Sequence, residues 1–326
     1  MISRNVLKSF LLDDNAREKF LGILRKLARV YFVKVVTFSL MSNHFHLIVR
    51  MLPEHDFDDD EVKKRFHIYY NEGKLKEDWR VFPTQEVANF RRRYGDLSCF
   101  VQDLKQRFSR WYNKRTQNEG HVWSDRFKNV MLEGSRALLA CMIYVELNSI
   151  RAGLVMRPED YQFCGLSQWV TGGRAAAWLD RETLKRVLAS NSELPEITMP
   201  PGPHGQSKDN SSASVPISRD DVKHYLRLVY QAGLIEKTGQ GQIREQTGEQ
   251  ALRSDFADLG IFSLRRRWRH FSAGVFVGSK EFCAQRFAEF RSYFQTRKER
   301  QGQRIAPKRA IAPGGLLDLY ALRRLR

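Results

Sequence analysis

No apolar run in this chain approaches the roughly 20 residues a helix needs to span a bilayer, so no membrane-crossing helix is expected. The short apolar patch at the start runs straight into Asp13-Asp14 and does not read as a signal peptide. Cysteine is scarce, and Cys99, Cys141, Cys164 and Cys283 show no paired spacing. That argues against a disulfide framework and for reduced, structural thiols in a cytoplasmic protein. No internal repeat is visible. Negative charge is also in short supply: 37 Asp+Glu face 55 Lys+Arg, leaving a formal charge of +18. Such an excess points to a polyanionic partner, because each neutralised phosphate releases condensed counterions. Nucleic acid is the leading partner and a membrane surface the lesser one.

What is present is enough apolar material for a packed core, 42% of the residues, in a chain of 326. At roughly 150 residues per domain that length suggests two domains. Residues 14–30 predict an amphipathic helix, capped by Asp14, with Phe20, Ile23, Leu24 and Leu27 at helical spacing. Tyr31 to Leu40, rich in Val, Phe and Thr, predicts a strand; a turn at Ser42-Asn43 and a second strand, His44 to Met51, complete an antiparallel hairpin. Residues 52–95, acidic at first (DFDDDEVKK) and then mixed, read as a partly helical insertion. A helix is predicted from Leu97 to Arg115, a break at Gly120, a strand near Arg126 to Leu132 and a helix from Ser135 to Asn148. Residues 171–190 read as a helical extension, and 191–216, with Pro, Gly, Ser and Asn throughout, as a flexible linker. Residues 217–326 read as a smaller, basic, mostly helical region.

Two short segments carry candidate chemistry. Strand residues alternate faces, so His44, His46, Ile48 and Arg50 share one face while Phe45, Leu47 and Val49 take the other. Two imidazoles two residues apart on a strand can reach one metal ion. Imidazole suits Mn²⁺ and similar ions better than Mg²⁺, although a mixed nitrogen and oxygen site takes either. An H-x-H pair alone is more often a pair of ordinary half-buried histidines. In the helix SRALLACMIYVELN, Tyr144 and Asn148 stand four apart on a single face, and Glu146 points roughly the opposite way. A phenol is a poor nucleophile at neutral pH without nearby positive charge, and a metal polarising a scissile phosphate helps. The Asn148 amide oxygen is available as a third, neutral ligand. By itself, an aromatic on an apolar helix belongs to a core.

Taken together, LMSNHFHLIV (40–49), HVWSDRFKNVMLE (121–133) and YVELNSIRAGLVMRPEDY (144–161) resemble the HUH single-strand nucleases, specifically the REP-associated branch of the single-tyrosine transposases. GVFVGSKEFCAQRF (274–287) resembles a segment of the longer members. The resemblance covers about residues 3–170 well and the remainder in patches. It implies an α+β fold: a ferredoxin-like antiparallel sheet with helices on one face and the metal on the open face, in a nuclease domain over 1–170. It also implies cleavage of single-stranded, hairpin or repeat DNA that leaves a 5′-phosphotyrosine and a free 3′-hydroxyl, and reversal of that step to join strands. By position, His44, His46 and Asn148 carry over as residues of a Mg²⁺ or Mn²⁺ site and Tyr144 as the nucleophile. The chain has Ser149 and Ser42 where family members usually have proline, and the family's first strand normally lies ahead of Ser3-Arg4.

Basic surfaces supply the expected DNA contacts. On the helix Leu97 to Arg115, Leu97, Val101, Leu104 and Phe108 form the apolar stripe, while Arg107, Arg110 and Lys114 share another face. Trp111 lies nearer the stripe. Arg50 shares the histidine face, and Arg126 and Lys128 alternate on their strand. Arg265, Arg266 and Arg267, beside Trp268, suit sequence-independent backbone contacts, and the tail RKERQGQRIAPKRA (297–310) reads equally as such a contact or as a disordered segment. The leading expectation is a cytoplasmic, nucleoid-associated transposase-like enzyme of DNA recombination. The alternatives are a domesticated, non-cutting hairpin-binding protein or repressor and, third, a protein that binds RNA strands on the same architecture.

Overall fold

The computed structural model describes residues 2–4, 12–124, 127–134, 136–190, 217–233, 275–291, 303–304 and 320–322. The chain is a mixture of helices and antiparallel sheet, in the α+β class, and divides into two compact units: 1–127 with 163–180, and 128–162 with 181–326. No described helix is long and apolar enough to cross a membrane. The nuclease domain expected over 1–170 is thus shared between the two units.

In the first unit, β1 (Ile2–Arg4) is followed by α1 (Asp14–Ala28), β2 (Val33–Leu40) and β3 (His44–Met51). The cap of α1 is Asp13, one residue earlier than expected: its carboxylate accepts from the Ala16 amide at 2.7 Å, and Asp14 becomes the first helical residue. Phe20, Leu21, Leu24 and Leu27 form the buried stripe of α1. The hairpin forms as expected, with Leu40 opposite Phe45 and Ser39 opposite His46, and a register shift between Val35 and Thr37. β1 pairs antiparallel with the other side of β3, so the order is β1-β3-β2 and β3 is central. Phe45 meets Phe20 at 4.9 Å and Trp123 at 5.4 Å between ring centres, and Phe20 meets Phe108 at 5.5 Å. Phe108 belongs to α4 (Leu97–Thr116), so α1 and α4 cover this face of the sheet. The outer edge of β2 is covered by α7 (Gly165–Thr171), α8 (Gly173–Ala176) and their flanks. There Ser39 bridges to Cys164, Val35 bridges to Leu179, and the Asp180 amide donates to the Val35 carbonyl at 2.7 Å.

The insertion is partly helical, as expected, with α2 (Asp59–Tyr70) and α3 (Val87–Gly95). Phe66 packs on Tyr70, Phe82 and Phe90, with ring centres 4.5 to 5.2 Å apart, which provides a small core of its own. Polar side chains fasten it to the sheet. One guanidinium nitrogen of Arg65 donates to the carbonyls of Arg29, Val30 and Tyr31 at 3.1 to 3.2 Å, satisfying the C-terminal end of α1. Asp103, 4% exposed on α4, accepts from the hydroxyl of Tyr31, from that of Tyr69 at 2.7 Å, and from Arg93 at 2.9 Å. Burial and the neighbouring carboxylate push both phenols up, so they remain protonated donors.

In the second unit, β4 (Met131–Leu132) is a two-residue remnant of the strand expected over 126–132, and it does not join the histidine sheet. It lies parallel to β5 (Phe276–Gly278) in a sheet ordered β4-β5-β7-β6, with β6 at Gln303–Arg304 and β7 at Tyr320–Leu322. The linker expected over 191–216 lies outside the described residues; the region after it has described strands beside its helices α10 (Arg219–Gly233) and α11 (Lys280–Glu289). These strands are two or three residues long, too short to show an alternating pattern. The helix expected over 135–148 is interrupted at Leu147 into α5 (Arg136–Glu146) and α6 (Asn148–Arg151). α5 packs against α9 (Arg181–Ala189) and α10. Glu146, fully buried, accepts from the Tyr225 hydroxyl of α10 at 3.3 Å.

All four cysteines are free, and Cys141, Cys164 and Cys283 are buried while Cys99 is half-buried. Burial pushes the Cys141 thiol up to about 12, so at neutral pH it is protonated and inert. A thiol reagent added to the native protein should label Cys99 first, and Cys141 only after denaturant; rapid native labelling of Cys141, read by mass spectrometry, would contradict this packing. Asp103→Ala removes the shared acceptor of Tyr69, Arg93 and Tyr31, leaving Tyr31 only the Cys99 carbonyl at 3.3 Å, so urea unfolding should show a loss of about 3 kcal/mol. A loss below about 1 kcal/mol would mean that the Asp103 network does not hold the insertion in place.

Candidate active site

The packing of Phe45 among Phe20 and Trp123 leaves His44 and His46 on the opposite face of the central strand. Their Nε2 atoms converge to 3.1 Å. Asn43, at the hairpin turn, faces the other nitrogen of His44: its side-chain oxygen lies 2.6 Å from Nδ1. An amide oxygen only accepts, so Nδ1 carries the proton and Nε2 of His44 presents its lone pair. His46 is 4% exposed, and its neighbours along this face, Thr37 and Ser39, are fully buried. His46 and Ile48 are buried on this face, while His44 and Arg50 at its two ends are half-exposed.

The donor set can be tested against a divalent cation. With metal–nitrogen bonds of about 2.1 Å, two ligands at a right angle stand about 3.0 Å apart and two at a tetrahedral angle about 3.4 Å apart. The observed 3.1 Å is the length of a hydrogen bond from one ring to the other, and it also lies within the span that two ligands of one cation would occupy. The orienting amide on His44 is the kind of outer partner that ligating histidines use. Among the described residues no cluster of three or more His, Cys, Asp or Glu surrounds a common point.

Tyr144 and Asn148 sit in the second unit. Between Ala137 and Ile150 every residue is buried except these two, which are half-exposed. The amide nitrogen of Asn148 donates to the carbonyls of Tyr144 and Val145 at 2.9 and 3.2 Å, which turns its oxygen away from those carbonyls. Arg151 joins them: its guanidinium donates to the Tyr144 carbonyl at 3.0 Å and lies 5.0 Å from the centre of the Tyr144 ring. Sequence reasoning passed over Arg151. The signal was there, since it lies three residues beyond Asn148 and seven beyond Tyr144 on helical spacing.

The expected DNA-contacting cations differ in their surroundings. Arg50 forms a two-pronged ion pair with the buried carboxylate of Asp180, at 2.8 and 3.2 Å. Arg107 is half-buried with its guanidinium 4.1 Å from the centre of the Tyr69 ring. Arg110 and Lys114, further along α4, are exposed, as is Lys128 in the second unit. Trp111 is half-buried against Phe108, as its place near the apolar stripe suggested. Arg126, Arg265, Arg266 and Arg267 lie outside the described residues.

No protein-family model, curated protein or solved structure matches the chain.

Mn²⁺ titration of the full chain, followed by electron paramagnetic resonance, should show one site that His46→Ala abolishes. Asn43→Ala, which frees the His44 ring to turn, should weaken that site by about 10- to 100-fold. Wild-type affinity in both variants would remove the histidine pair from any metal role.

Proposed function

We propose that this protein is a metal-dependent, single-strand DNA nuclease and strand transferase of the HUH type, with Tyr144 as its nucleophile. The observation that carries the reading is the convergence of the His44 and His46 Nε2 atoms to 3.1 Å on one face of the central strand, close enough for both to reach one cation. The order β1-β3-β2, with α1 between β1 and β2, supports a ferredoxin-like sheet as its frame. The single-tyrosine, REP-associated branch is the type whose motifs the chain resembles, and a hairpin or repeat DNA is the corresponding substrate.

His44, His46 and the Asn148 oxygen would hold the cation, which supplies Lewis acidity toward the scissile phosphate. Tyr144 gives up its proton and its hydroxyl oxygen attacks phosphorus in line. The bond from phosphorus to the 3′-oxygen breaks, and that oxygen takes a proton. The 5′-phosphate of the downstream fragment is then esterified to Tyr144, the upstream fragment leaves with the 3′-hydroxyl, and attack by a 3′-hydroxyl reverses the exchange without an external energy source. Exposed cations such as Arg110, Lys114 and Lys128 would contribute backbone affinity, and Arg50 would act mainly through its pairing with Asp180. A second reading, a hairpin-binding protein that does not cut, draws support from the enclosure of His46, 4% exposed.

The two readings part on covalent chemistry. With Mn²⁺ or Mg²⁺ and a labelled hairpin strand, wild type should give a band that survives denaturing electrophoresis. Tyr144→Phe should lose that band while keeping its fold and DNA affinity, and Tyr31→Phe, Tyr112→Phe and Tyr161→Phe should retain it. An adduct persisting in Tyr144→Phe would reassign the nucleophile, and tight binding by wild type without any adduct would establish the non-cutting reading.

A further inference from the structure

The contacts of Arg151 exceed what a helix end requires. α5 ends at Glu146, and its last carbonyls face a cation favourably, so one donor from Arg151 to the Tyr144 carbonyl at 3.0 Å would complete an ordinary cap. Asn148 already donates to that same carbonyl at 2.9 Å. Capping gives no reason for the guanidinium also to lie over the phenol, 5.0 Å from the ring centre. A lysine would cap as well; the planar, multiply donating guanidinium is the group that lies on an aromatic face and meets a phosphate with two parallel bonds. Tyr144 and Asn148 are the two half-exposed positions on an otherwise buried stretch, and Arg151 is half-exposed beside them. One face therefore collects a phenol, an amide and a fixed cation.

We infer that Arg151 binds the phosphodiester brought to Tyr144 and holds the phenol ring in line with it. The inference rests on the strand-transfer reading above for its substrate, a phosphodiester of single-stranded DNA. Arg151 makes and breaks no covalent bond. It donates hydrogen bonds to the non-bridging phosphate oxygens, where charge accumulates as the tyrosyl oxygen approaches.

Two measurements on the full chain separate this role from capping. In protein carrying ¹³C-labelled tyrosine, with the Tyr144 ring signal assigned by its loss in Tyr144→Phe, the dinucleotide thymidylyl-thymidine serves as the phosphodiester probe. It should shift the Tyr144 signal in wild type and leave it in place in Arg151→Gln. With saturating hairpin DNA, Arg151→Gln should form adduct about 100-fold more slowly, with its DNA dissociation constant changed by no more than about threefold. Arg151→Lys keeps the cation at the helix end and so guards against simple misfolding. It lacks the flat stack, and should shift less with the probe and react about 10-fold more slowly. A Tyr144 signal that the probe leaves unmoved in wild type, or moves equally in Arg151→Gln, overturns the inference, as does a wild-type adduct rate in Arg151→Lys. If adducts form equally fast in wild type and Arg151→Gln, the inference falls and the strand-transfer reading stands. If the probe acts through Arg151 but no DNA ever becomes attached, the phosphate site stands and the strand-transfer reading falls.

Discussion

Strand β3 cannot bury Phe45 without turning His44 and His46 to the other side, and the geometry of the first unit follows from that alternation. Phe45 is held by rings from α1 and from the segment after α4, so a slip of one residue in β3 would expose it and bury the imidazoles among aromatics. Pairing on both sides, with β1 and with β2, fixes the register further. A histidine pair built on a central strand is placed by packing on the strand's other face. The convergence of the two Nε2 atoms is thus a property of the sheet, trimmed by one amide at the turn.

A different device secures the insertion. Its helices carry a modest apolar core around Phe66. Rings tie it to the residues just ahead of β2, with Phe57 stacked on Phe32 and Tyr94 against Tyr31. Polar groups add to these, Asp103 gathering two phenols and Arg93 and Arg65 gathering three carbonyls. Such networks are directional and hold only when nearly every partner is present. They also account for the position of Arg107, which lies on the Tyr69 ring at the border of the Asp103 network rather than fully in solvent.

Much of this was legible in the residues. The hairpin over 33–51, the alternation of its histidines and the apolar stripe of α4 all follow from periods of two and of 3.6 residues. Tyr144 and Asn148 share a face as their spacing implies, despite the break at Leu147. Long-range partners were not legible. Nothing near Arg50 announces Asp180, which is 130 residues away, and nothing near Met131 announces its pairing with Phe276. The strand expected from Arg126 to Leu132 had the right composition, yet composition does not choose a partner sheet. Asp103 looked like one more charge on a mixed helix, because burial of a carboxylate depends on donors from three other segments.

The passage of the chain between its two compact units has a consequence for how Tyr144 can move. The backbone crosses from one unit to the other near residues 127, 162 and 180, so the stretch bearing Tyr144, Asn148 and Arg151 is anchored in the first unit at both of its ends. A loop tethered twice explores a far smaller volume than a domain on a single leash, and the entropy of bringing its residues to a partner site is largely settled by the covalent path. A single proteolytic cut near residue 127 or 162 would leave the stretch covalently attached, as one cut before a free terminus would not.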